Sequence, residues 1–339
     1  MWSLYSTIGI NLALVLPFAV TYAMFRKRPL SFFYPCAFYY VVMVGLMFFI
    51  MTITKLTYHQ ARPFWVSEDI QAVQCSTQYG NPSGHSMLSL GSGLTVWLDL
   101  NQYVAQNESA ISAWYVRAGL LLVAIFFGAT IGYSRVILGV HSWNQVVFGW
   151  SLGIWIAFTL HFCVKDYTVE SIWNLLQGEL VGLESHVLTS LGLLALLVGV
   201  QIGNYQIMDS LIVNEQTWIE NIARKCGREQ LDYAFQSRSL VESGLVAIIF
   251  GSYLGLVFQS YLYPGVLRGE VLDDSFLRPI LRLGVGVLMC LPVVGIALLQ
   301  GYDSNLYLLL LTKTLLPTFL GGFVIFGLVD IVNIKLGLL

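Results

Sequence analysis

The sequence predicts an all-α membrane protein, a bundle of about nine transmembrane helices in a single domain over residues 1–339. Composition is the first reason. Of the 339 residues, 57% are hydrophobic and only 11% are charged, whereas a soluble domain carries about 25% charged residues; the mean hydropathy is +0.72. Run length is the second, because apolar stretches of about 20 residues, enough to cross a bilayer core, recur along the whole chain. The connections are the third: none of them is long enough to hold a soluble domain of ordinary size.

In chain order the runs lie near 3–24, 31–54, 84–100, 115–134, 141–163, 187–207, 239–262, 277–299 and 304–329. The first is long and lacks a small-residue cleavage site, so it is expected to be a retained helix and not a signal peptide. Arg26-Lys27-Arg28 is the densest basic cluster beside a run and is expected on the cytoplasmic side. Alternation then puts 55–83, 134–141, 208–238 and 300–303 on the opposite side with the N-terminus, and the C-terminus in the cytoplasm. Arg224, Lys225, Arg228 and Arg238 run against this rule. The sequon Asn107-Glu108-Ser109 falls on the cytoplasmic side and is expected to be unused. A net charge of −2 gives no sign of a nucleic-acid partner, and five cysteines without CxxC or CxH spacing imply no metal cluster. No cofactor is expected.

Three polar clusters stand at run ends on one predicted face: Lys55 with Arg62-Pro63, Pro82-Ser83-Gly84-His85, and Ser134-Arg135 with His141. Charge near a membrane is costly and usually marks function. Three cations and two histidines gathered at one depth call for an anion, and a phosphate ester suits them. Arg62 and Arg135 can each offer a fork to phosphate oxygens, and Lys55 a point charge. Gly84 lets backbone approach closely, Ser83 adds a hydroxyl, and the N–H groups of Ser83, Gly84 and His85 open a helix whose dipole favours anions. Neutral imidazole is a competent nucleophile and imidazolium an acid for a leaving alkoxide. His141 is therefore expected to be the nucleophile and His85 the general acid, then base. Gln145, one helical turn beyond His141, is expected to accept its Nδ1–H and orient it.

These residues together resemble the three-part signature of the type-2 phosphatidate phosphatase and vanadium haloperoxidase superfamily, over less than a third of the chain. The flanks resemble one branch, the glucose-6-phosphatase catalytic subunits: Arg62-Pro63-Phe64-Trp65-Val66, Cys75 ahead of the second cluster, and Gln145 within His141-Ser142-Trp143-Asn144-Gln145-Val146-Val147, where the wider superfamily usually has Asp. Trp218-Ile219, the Gly-rich seventh run and Lys313 four residues before Pro317 resemble that branch more loosely. The resemblance implies a catalytic core at 31–163 with additional helices at 187–329. It also implies Lys55, Arg62 and Arg135 as phosphate ligands, His85 as acid and a phosphorylated His141. An endoplasmic reticulum membrane with a lumenal site, no metal, and a sugar-phosphate transporter as candidate partner complete it. A short first lumenal loop without a sequon, and a C-terminus without a di-lysine signal, depart from the branch.

Glucose 6-phosphate is the leading expected substrate; a lipid phosphatase acting on phosphatidate, sphingoid-base phosphate or polyprenyl diphosphate, and a silent phosphate-binding subunit, are the alternatives. Away from the clusters, Lys313 is expected to find a partner inside the bundle, Glu242 first, with Arg282 and Asp303 also considered. Cys75 and Cys226 share the predicted lumenal side, where a disulfide is permitted but not required. His59 is expected at the surface. Trp65, Tyr79, Trp143 and Trp218 are candidates for a sugar-facing wall, against the commoner role of interfacial anchors.

Overall fold

The computed structural model describes residues 2–25, 30–107, 110–178, 182–231, 233–264, 277–298 and 305–338. Arg26-Lys27-Arg28, two residues of the sequon, Asp303 and the connection 300–303 lie outside the described residues. Every regular element described is helical: α1 Trp2–Phe25, α2 Leu30–Tyr58, α3 Pro63–Val66, α4 Gly84–Asn107, α5 Ala110–Ile137, α6 Trp143–Thr159, α7 Lys165–Leu176, α8 Leu183–Leu211, α9 Gln216–Cys226, α10 Phe235–Ser243, α11 Ala247–Leu262, α12 Leu277–Leu298, α13 Leu306–Leu309, α14 Leu316–Phe323 and α15 Val329–Lys335. π-helical turns at Leu160–Val164, Leu310–Leu315 and Val324–Leu328 join α6 to α7, α13 to α14 and α14 to α15.

Among the described residues, eight helical stretches are long and apolar enough to cross a membrane, one fewer than expected. The difference is α4. It has the length, but Ser86, Ser89, Ser92, Thr95 and Asp99 lower its hydropathy, and all five are buried. Packed against α5 and α6, α4 need not be apolar on every side. Leu122 and Phe126 of α5, by contrast, are exposed, as a lipid-facing surface requires.

The chain divides into two compact units. Unit 1 comprises Met1–Val20, Ile50–Val164 and Asn204–Ser239; unit 2 comprises Thr21–Phe49, Lys165–Gly203 and Leu240–Leu339. In unit 1, α9 lies on α3 over an aromatic core of Phe64, Trp65, Tyr79 and Phe235. Trp65 and Phe235 rings stand 5.2 Å apart and nearly perpendicular, and burial of each large side chain contributes roughly 1.5–3 kcal/mol. Trp65 and Tyr79 are thus fully buried core, neither anchors nor a wall for sugar. Trp218 packs on Trp65 at 6.0 Å, and Trp143 is half exposed.

Cys75 and Cys226 form a disulfide with Cα atoms 5.6 Å apart. Beside it, Lys225 Nζ donates to the carbonyls of Phe64, Ser67 and Ile70 at 3.0, 2.5 and 2.8 Å. Arg224 pairs with Glu68 at 3.2 Å. Two of the four basic residues that run against the charge rule, Arg224 and Lys225, therefore fasten α9 to the first large connection.

Unit 2 is built on small residues. Gly251 and Gly255 of α11 meet the backbone of Phe319 and Phe323, and Gly322 meets Ser252, the close helix approach favoured where lipid supplies no hydrophobic drive. Lys313, in a π-helical turn, donates to Ala297 O at 2.8 Å.

Candidate active site

Unit 1 gathers all the residues of the three clusters. Lys55 lies in the last turn of α2, and Arg62 is the N-cap of α3, held extended by Pro63 at the first helical position. His59, between them, is exposed at the surface with φ +32°. Arg135 closes α5, His85 opens α4, and His141 sits two residues before α6. Lys55, Arg62, Arg135 and His141 are each at most 3% exposed.

Arg62 ties these segments together. Its Nε donates to Gln78 O at 2.6 Å, one terminal nitrogen to Val140 O at 2.9 Å and to His141 Nε2 at 3.1 Å, and the other to Tyr79 O at 3.4 Å. Lys55 Nζ donates to Gln78 Oε1. Arg135 donates to Ser6 Oγ at 2.9 Å and Gln74 Oε1 at 2.8 Å, and Gln74 in turn donates to Ser3 Oγ at 2.8 Å. The first helix thereby supports an arginine more than a hundred residues away in sequence.

The tautomer of His141 follows from a chain of bonds. Ser142 caps α6 and Gln145 is its third residue, a capping box in which Gln145 Oε1 accepts from Ser142 N–H at 3.3 Å. Ala61 O can only accept, and Gln145 Nε2 lies 2.8 Å from it. That fixes the amide so that Oε1 faces His141 Nδ1 at 3.2 Å. Nδ1 must then carry the proton, which leaves the Nε2 lone pair toward Arg62. Gln60 Oε1 accepts from Gln145 Nε2 and Asn144 Nδ2, both at 3.3 Å. Gly80 passes so close that a Cβ there would sit 2.5 Å from Gln145 Oε1.

Burial, then the charges of Arg62, Arg135, Lys55 and His85, hold the His141 imidazole well below its ordinary pKa. All four groups therefore bear on His141, which stays neutral. Ser83 N–H, expected to face an anion, donates to Gln145 O at 3.0 Å instead; Gly84 and His85 supply the remaining N–H groups at the start of α4. Ser86 Oγ and Ser83 Oγ are 2.9 Å apart. A Cβ at Gly84 would overlap Met51 Sδ, so a larger residue there would have to displace that side chain.

Gln78, Gln60, Gln74 and Ser6 carried no sequence signal of their own. Gln78 matters most. Its side chain is buried, its oxygen is engaged by Lys55, and its Nε2 has no hydrogen-bond partner among the described residues. Arg135 Nε is in the same condition. Gln78 Nε2 and Arg135 Nε are thus two buried donors without an acceptor among the described residues, in the unit that also holds Lys55 and Arg62. No group of His, Cys, Asp and Glu able to hold a metal occurs among the described residues.

Comparison with known proteins points the same way. The PAP2 superfamily model matches residues 36–168, a stretch containing every residue of the three clusters. An undecaprenyl-diphosphatase of Sulfolobus acidocaldarius is 29% identical over 107 residues, 31% of this chain and 44% of that protein, so the match spans less than half of the relative. No solved structure matches this chain.

Proposed function

We propose that this chain is an integral-membrane phosphatase that cleaves a phosphate ester through a phosphohistidine at His141. The observation that carries this reading is the buried His141, neutral, with Nδ1 held by Gln145 and Nε2 turned to Arg62 among three cations. In the first step His141 Nε2 attacks phosphorus, the phosphorus–oxygen ester bond breaks, and His85 gives its proton to the departing oxygen. In the second, His85 takes a proton from water, the hydroxide attacks phosphorus, and the nitrogen–phosphorus bond breaks to release phosphate. Lys55, Arg62 and Arg135 neutralise the equatorial oxygens, with Ser83 Oγ, the Gly84 and His85 N–H groups and Gln78 Nε2 as further donors. The matched stretch 36–168 supports a catalytic core at 31–163, to which 187–329 is added.

Two readings of the leaving group each have support. The relative's name favours a lipid phosphate, a polyprenyl diphosphate foremost. The glutamine at 145, the Arg62–Val66 flank and, more loosely, Trp218-Ile219 favour glucose 6-phosphate, with a sugar-phosphate transporter as partner and the endoplasmic reticulum lumen as the compartment. Under either reading the disulfide suits a site on the oxidising, non-cytoplasmic side. Phosphate release by the purified protein decides between them. Undecaprenyl diphosphate or phosphatidate turned over in preference to glucose 6-phosphate supports the lipid reading, and the reverse supports the sugar. Release from none of these would sink the phosphatase reading, and release undiminished in His141→Ala would sink the phosphohistidine at His141.

A further inference from the structure

Arg135 spends only one end of its guanidinium on the protein. Nη1 donates to Ser6 Oγ at 2.9 Å and to Gln74 Oε1 at 2.8 Å. Gln74 Nε2 donates in turn to Ser3 Oγ at 2.8 Å, so α1 and the connection ahead of α4 grip that end together. Nη1 can only donate, which fixes the Gln74 amide with its oxygen toward Arg135. Nε is buried without a hydrogen-bond partner among the described residues, and Nη2 donates to none of them either. Nε and Nη2 make up the lateral edge of a guanidinium, two parallel N–H groups spaced to meet two oxygens of one phosphate. The backbone links Arg135 to the nucleophile, since His141 N–H donates to Arg135 O at 3.3 Å.

We infer, given the phosphate site proposed above, that Gln74 and Ser6 are positioning residues: they hold Arg135 by Nη1 so that its Nε–Nη2 edge takes two phosphate oxygens. Both partners of Nη1 are uncharged, and among the described residues no Asp or Glu pairs with Arg135. A carboxylate in their place would orient the guanidinium but cancel the charge that an anion needs. A hydroxyl and an amide oxygen orient it and leave the charge unspent. Ser6 is fully buried, so its bond to Arg135 is shielded from competing water.

Orthovanadate, which mimics phosphorus in its five-coordinate state, is the probe. Its affinity for the full-length protein in detergent is read from the concentration dependence of thermal stabilisation, which needs no turnover. Gln74→Ala should weaken vanadate binding about tenfold, the worth of a hydrogen bond to a charged group. In an Arg135→Ala background, where vanadate still meets Lys55 and Arg62, the same change should alter affinity less than about twofold. A residue that acts through Arg135 then has nothing left to act on, whereas a merely structural one would cost the same in both backgrounds. Ser6→Ala removes only a hydroxyl and should weaken binding about fivefold; it decides the matter if Gln74→Ala does not fold. No vanadate binding by the unaltered protein, unchanged affinity in both variants, or equal loss with and without Arg135 would overturn the inference. Turnover, measured separately, tells whether the phosphatase reading falls with it: the expected coupling in a protein that releases no phosphate would retire that reading and leave the roles of Gln74 and Ser6 standing.

Discussion

The two units are held together by different means. In unit 1, hydrogen bonds from buried side chains join segments far apart in sequence: Arg62 to 78–79 and 140–141, Arg135 to α1 and to Gln74, Gln145 to 60–61. In unit 2, α11 and α14 meet through glycine and serine with backbone against backbone. The first arrangement fixes directions, as a reacting centre needs; the second fixes distances, as a scaffold needs. Substitutions of the hydrogen-bonding side chains around His141 in unit 1 should therefore fall on turnover, and those of the packed glycines in unit 2 on stability.

The largest effect short of losing the nucleophile is expected at Arg62. Arg62→Ala removes a phosphate ligand and the side chain that spans the site, and kcat/KM should fall by about 10²–10³-fold, the loss seen for a preorganised donor to a developing charge. The same variant carries a pH signature. His141 must be neutral to attack, and Arg62 is the largest charge-based cause of its depressed pKa, after burial. Removing that charge raises the pKa, so the acid limb of the kcat/KM profile should move to higher pH. An unmoved limb would separate Arg62 from His141.

Gln145→Ala comes next. With Nδ1 released, the productive tautomer is no longer enforced, and kcat should fall roughly 10–100-fold, as when the partner that orients a metal-bound histidine is removed, with KM little changed. Gly80→Ala should reproduce part of that loss by pressing on the Gln145 amide. Equal effects on kcat and KM would mean that Gln145 merely supports the loop.

Cys226→Ser should act on stability more than on rate, by about 2–4 kcal/mol for loss of a long-range disulfide, read as a lower melting temperature and matched by reductant on the unaltered protein. Gly251→Leu should have the smallest catalytic effect. Its side chain would meet Phe319 O, and overpacking costs typically about 1–3 kcal/mol, while the KM of the surviving protein stays unchanged. A KM change there would break the division between units.

The same contrast explains what was legible in the sequence. Helix after helix could be read because run length against a bilayer is a local property; α4, expected as a span, has the length of one and owes its lower hydropathy to buried polar residues on a helix packed against α5 and α6. Lys55, Arg62, His85, Arg135 and His141 stood out because charge at a run end is conspicuous. Gln78, Gln60, Gln74 and Ser6 did not, since a neutral side chain acquires its importance only from partners many residues away, and no periodicity records such a pairing. Lys225 and Arg224, which count against the expected orientation, spend their charges on carbonyls and on Glu68, which a count of basic residues cannot register.

The central claim is covalent chemistry at His141. The direct test is to quench the protein in the presence of a radiolabelled phosphate ester it turns over and to examine the denatured chain. The account predicts label that is lost in acid, survives alkali, maps to the peptide holding His141 and is absent from His141→Ala. Label that persists in His141→Ala, or that resists acid as a phosphoserine would, would contradict it.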